Sequence, residues 1–139
     1  MNVKALARYA YLVLAWLFLG LLVVQVFLAG MGMFAGQAHF AGHVDLGWAL
    51  HLAPLVILPA AVFSRAGPKH WAWALALAVV TFLVPIFVLF RADMPALAAL
   101  HPVAAMLAFG LAAMVARNSL KAVRAAPRLN EAAPSAGNP

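Results

Sequence analysis

The sequence predicts an all-α integral membrane protein: a four-helix bundle with both termini on the cytoplasmic side. Three observations carry that prediction. Apolar residues make up 68% of the 139 and charged residues only 9%, whereas a soluble domain is roughly half apolar and a quarter charged. The apolar residues gather into runs of the length a bilayer core requires, about 20 residues each. The cations collect between alternate runs. This composition excludes both a soluble globular domain and a disordered chain. A net charge of +6 would suit nucleic acid. The cations sit at the borders of the apolar runs, however, so nucleic acid is excluded as a partner and the lipid bilayer takes its place. Cysteine is absent, which excludes disulfides, thiolate metal sites and covalent haem attachment.

The first span covers about residues 9–30. It is too long for the core of a secretory signal and more spans follow, so it reads as an uncleaved anchor. The second covers 43–63, with its one acid, Asp45, at the edge. The third covers 71–90, and Pro85 predicts a kink whose freed carbonyl a neighbouring helix can satisfy. The fourth covers 95–116, where Asp93 and Pro95 read as a helix start. Open strands cannot cross lipid, because their backbone groups would go unpaired. Residues 1–124 thus form one transmembrane domain. Residues 125–139, rich in Ala, Pro, Asn and Gly, read as a disordered cytoplasmic tail.

Lys4, Arg8, Arg65, Lys69, Arg117, Lys121, Arg124 and Arg128 fall on one side, and only Arg91 falls on the other. The positive-inside rule makes the first side cytoplasmic, and Tyr9, Tyr11, Trp71 and Trp73 sit at its aromatic belt.

Four of the five histidines, His39, His43, His51 and His101, map to the outer half. His70, beside Lys69 and Trp71, is interfacial. Histidines inside apolar runs need a reason. One is a hydrogen bond to a neighbouring helix; the other is metal ligation. At 100° per residue, His43, Gly47, His51, Pro54 and Leu58 share one helix face. His101, Ala105, Ala108 and Ala112 form a second stripe. Gln25, Ala29, Gly32 and Gly36 align on the first helix if it continues that far, and Gln25 can hydrogen-bond within the bundle. Small residues allow close helix packing without any ligand. Beside histidines on two parallel helices they also leave room for something flat. Two imidazoles from facing helices are what axial ligation of a haem needs, and filling both faces of the iron suits electron transfer.

Two histidines compete to pair with His101. His51 lies 14 residues before Arg65 and His101 lies 16 before Arg117, whereas His43 lies 22 before Arg65. At 1.5 Å per residue, His51 matches the depth of His101 within about 3 Å and His43 lies about 9 Å further out. Both stay open on the residues alone. Arg91 either holds a propionate or forms an exposed pair with Asp93.

Two other classes compete. Met31, Met33, His39, His43 and Met94 collect at the outer end, and thioether with imidazole suits copper; equally, Met is a flexible apolar filler. A ligandless accessory subunit of a larger membrane complex is the third class. A quinone, a redox partner protein or a second copy of the chain are compatible partners. No Ser–His–Asp set, paired carboxylates or phosphate loop is present, which excludes hydrolytic and phosphoryl-transfer chemistry and leaves a redox-carrier role open.

The segment QVFLAG in the first helix, His43-Val-Asp-Leu-Gly47 opening the second, and Leu100-His101-Pro102 opening the fourth together resemble one four-helix half of the haem A synthases. They resemble more closely a group of small bacterial four-helix membrane proteins with the same outline. The likeness spans about residues 25–117. It implies a bacterial inner-membrane, cytochrome-like protein binding haem b, with His43 and His101 as axial ligands. Gly47 and Ala105, each four residues after its histidine, would clear space for the porphyrin. The departures limit what is inherited. The synthases have two such halves and this chain has one. Residues 38–42 lack the carboxylate that precedes the histidine in the synthases, and their cysteine pair is missing. Thr81 and Pro85 stand where a Gln would recur. Haem binding follows from the resemblance; haem A synthesis does not.

Overall fold

The computed structural model describes residues 3–125. The tail expected beyond them lies outside the described residues. The described chain is all-helical, and four of its segments are long and apolar enough to cross a bilayer, with mean hydropathies of 1.9 to 2.7. The first span is one helix, α1 (Val3–Phe34). A single 3-10 turn (Gln37–His39) leads into the second span, which is broken into α2 (Phe40–Leu52) and α3 (Pro54–Phe63). The third is α4 (Pro68–Leu89). The fourth is α5 (Pro95–Ala98) followed by α6 (Leu100–Arg124). Sequential spans pack against each other and α6 closes the bundle on α1.

Each break and turn has a local cause. Pro54 has no N–H to give Leu50, whose carbonyl instead takes the Ala53 N–H at 3.2 Å; this tightened turn separates α2 from α3. Pro102 likewise withdraws the donor for Ala98, where α5 ends. Gly36 and Gly67 both have φ 113°, a conformation that side chains disfavour. Gly36 therefore ends the approach to the 3-10 turn and is not part of the first helix's stripe, because α1 stops at Phe34. Pro68 opens α4 at its first position, where its missing N–H costs nothing. α4 runs on through Pro85 to Leu89. Pro95 does open the fourth span, but Met94, not Asp93, occupies the cap position and no side chain caps it. α6 continues two turns beyond the expected limit at Ala116.

Packing is uneven along the bundle axis. Toward the end rich in cations, Tyr11, Ala15 and Phe18 of α1 meet Ile57, Ala61, Ala74, Leu77, Ala112, Val115 and Ala116 in a closed core. The small side chains bring the backbones close, as lipid-embedded helices require. Tyr11 donates its hydroxyl to the Val115 carbonyl (3.4 Å), and Arg8 Nε donates to the Ser64 carbonyl (3.1 Å). Large apolar residues such as Val26, Phe27 and Met106 are 64–76% exposed. Their outward face is lipid-like surface, and it would be an aggregation hazard in water. Toward the other end, where His39, His43 and His101 lie, the bundle is hollow.

Candidate functional site

The hollow is a cavity of about 640 Å³ lined by all four spans. α1 supplies Leu22 and Gln25. α2 supplies Phe40, His43, Val44, Gly47, Trp48, Leu50 and His51. α4 supplies Thr81, Val84, Pro85, Val88 and Leu89, and α6 supplies His101, Ala105 and Ala108, with Arg91 at the mouth. Most of this wall is apolar. Val44, Trp48, Leu89 and Arg91 are exposed, so the cavity opens sideways and toward the loop end.

His43 is fixed by a reciprocal pair with α1. Its Nδ1–H donates to the Gln25 carbonyl (3.1 Å), while Gln25 Nε2 donates to the His43 carbonyl (2.7 Å). A carbonyl only accepts, so Nδ1 carries the proton. Gly47 makes room for the second of these bonds: a Cβ there would stand 2.9 Å from Gln25 Nε2. Phe40 packs edge-on against the His43 ring, with centroids 6.0 Å apart. His101 is fixed in the same manner, donating Nδ1–H to the Val84 carbonyl on α4 (2.9 Å). The interhelical hydrogen bond and the ligand role are therefore not exclusive: each ring spends Nδ1 on a neighbouring helix and keeps Nε2. The two rings are neighbours, edge-on, with centroids 6.3 Å apart and planes at 76°.

The structure thus brings His43, not His51, to His101. The depth count misled because it took Arg117 as the end of the last helix. α6 ends at Arg124, and His101 lies 23 residues before it, as His43 lies 22 before Arg65. His51 lines the cavity deeper, stacked on Phe82 (4.7 Å) and edge-on to Trp48 (5.7 Å). Its Nδ1, with Gln25 Oε1 and Thr81 Oγ1, is buried without a hydrogen-bond partner.

Gln25, Gly47, Arg91 and Ala105, singled out in the sequence, all line this cavity. Met31, Met33, His39 and Met94 do not. His39 ends the 3-10 turn and caps α2 in helical conformation, one turn before His43, but its side chain is exposed and stands outside the cavity wall. Among the described residues, no group of three or more His, Cys, Asp or Glu side chains is placed to hold a metal ion. Phe40, Trp48 and Val84 were missed in the sequence. Phe40 precedes His43 by three residues, a helical neighbour that periodicity could have flagged; Val84 contributes only its backbone, which no motif reveals.

Set against protein-family models, curated proteins and solved structures, the chain finds no match in any of the three.

Proposed function

We propose that the cavity holds a haem of the b type, with His43 and His101 as axial ligands through Nε2. The chain is then a small, cytochrome-like electron-transfer protein of the bacterial inner membrane. The observation that carries this reading is the pair of imidazoles, each tied through Nδ1 to a backbone carbonyl, with centroids 6.3 Å apart in one cavity. Metal-ligating histidines characteristically donate their other N–H to a carbonyl or carboxylate, which fixes tautomer and orientation. Two imidazoles on opposite faces of one metal, each bonded at about 2.0 Å, place their centroids about 6 Å apart. Two protein ligands suffice for a metal already held by a porphyrin, whereas a bare ion asks for three or four.

The chain's own residues would divide the work. Gln25 and Val84 orient the two imidazoles. Gly47 and Ala105 keep the walls low. Arg91, the lone cation at that end among the described residues, would pair with the propionates. A bound haem would supply one-electron redox chemistry, and the apolar walls would keep water from it. The charge asymmetry supports cytoplasmic termini.

An absorption spectrum of the protein purified in detergent tests the proposal. A reducible Soret band is expected in the wild type and is lost in H43A and H101A. H51A keeps it. A wild type without a porphyrin band, or with copper in its place, overturns the reading.

A further inference from the structure

A haem between His43 and His101 leaves the deep end of the cavity without a role. His51 lies eight residues beyond His43 on α2, about 12 Å further in. Thr81 lies nearly one turn deeper than Val84, whose carbonyl holds His101. Both line the cavity, and both present a buried polar atom with no partner, Nδ1 of His51 and Oγ1 of Thr81. Thr81 is only 6% exposed. A helical threonine commonly back-bonds to the carbonyl one turn earlier; this one does not. Leaving such groups buried and unpaired costs about 1–3 kcal/mol each, so both ask for a partner. The surroundings restrict what that partner is. Trp48 and Phe82 flank the His51 ring, and they are 55% and 54% exposed on surface that faces the bilayer. The deep end is thus a small polar spot beside Trp48, approached from lipid, with Phe82 packed behind the His51 ring.

We infer that this deep end binds the head group of a lipid-soluble quinone, whose ring oxygens pair with His51 Nδ1 and Thr81 Oγ1 beside Trp48, while Phe82 backs the His51 ring. The inference extends the haem reading, on which its redox sense rests; the binding chemistry stands apart from it. A quinone oxygen accepts hydrogen bonds and a quinol oxygen also donates. Imidazole nitrogen and threonine hydroxyl can each do either, so the same two residues serve both forms. A flat conjugated ring suits an aromatic neighbour, and an isoprenoid tail leaves through the lateral opening. An acyl chain offers nothing to the two unpaired atoms, and a phospholipid head group stays at the interface.

The test uses the full chain in lipid nanodiscs. Haem content is read from the spectrum, and binding of a short-tailed ubiquinone is measured by equilibrium dialysis against protein-free nanodiscs. Binding above the blank is expected, weakened about tenfold or more by H51L and by T81V, the latter nearly isosteric and thus safe for folding. The Soret band remains in both variants. Wild-type binding no greater than the blank, or variants that bind as tightly as the wild type, overturns the inference. So does loss of haem from H51L, which would make His51 an axial ligand. If the wild type carries no haem yet binds quinone in a His51- and Thr81-dependent way, the haem reading fails and the quinone site stands.

Discussion

The hydrogen bond from Gln25 to the His43 carbonyl depends on an atom that is absent, the Cβ of Gly47. In G47A the new methyl would stand 2.9 Å from Gln25 Nε2 and force that side chain away. The His43 carbonyl then loses its donor, while the imidazole keeps its bond to the Gln25 backbone carbonyl. We expect a cost of about 1–2 kcal/mol in thermal unfolding, within the range seen for interhelical hydrogen bonds in membranes. The double variant G47A/Q25A should cost less than the sum of the two, because both remove one interaction. At this scale the sequence was informative about identity and poor about partnership. His43, His101, Gln25 and Gly47 stood out as polar or small residues in apolar runs. That Gln25 reaches His43 did not follow, since side-chain reach between helices depends on rotation angles that a sequence leaves free.

The helices carry two kinds of alanine, and α6 shows both. Ala116 is fully buried in the closed core, while Ala105 lines the cavity. A116L should therefore overpack and destabilise by about 1–3 kcal/mol, seen as a lower melting temperature. A105L should leave the melting temperature of ligand-free protein unchanged or raise it, yet abolish the Soret band by filling the haem's space. The stripe His101, Ala105, Ala108, Ala112 was legible from helical periodicity, but its change of role from wall to core was not, because periodicity fixes a face and says nothing of depth. The breaks at Ala53 and Ala99 were also missed. Pro54 and Pro102 were visible, yet whether a proline ends a helix or stays inside one, as Pro85 does in α4, is decided by the neighbours that take up the freed carbonyl.

Over the whole molecule, one end is solid and basic and the other is hollow and nearly uncharged. The absence of cysteine makes orientation directly testable, since each introduced thiol is the only one. A membrane-impermeant maleimide should label D93C in intact spheroplasts and label A66C only after permeabilisation; the reverse pattern would invert the proposed topology. Four spans and their charge bias were legible because the bilayer imposes length and the cations mark its faces.

A hollow of about 640 Å³ also bears on how the protein persists. It opens sideways and toward the loop end, and an apolar wall left without neighbouring atoms forfeits its dispersion contacts. Some guest must therefore always be inside, a lipid tail by default and a tighter-binding molecule when one is supplied. Swapping one guest for another then becomes a thermodynamic handle: heat resistance should climb with the logarithm of the concentration of whichever compound this chamber was shaped to admit.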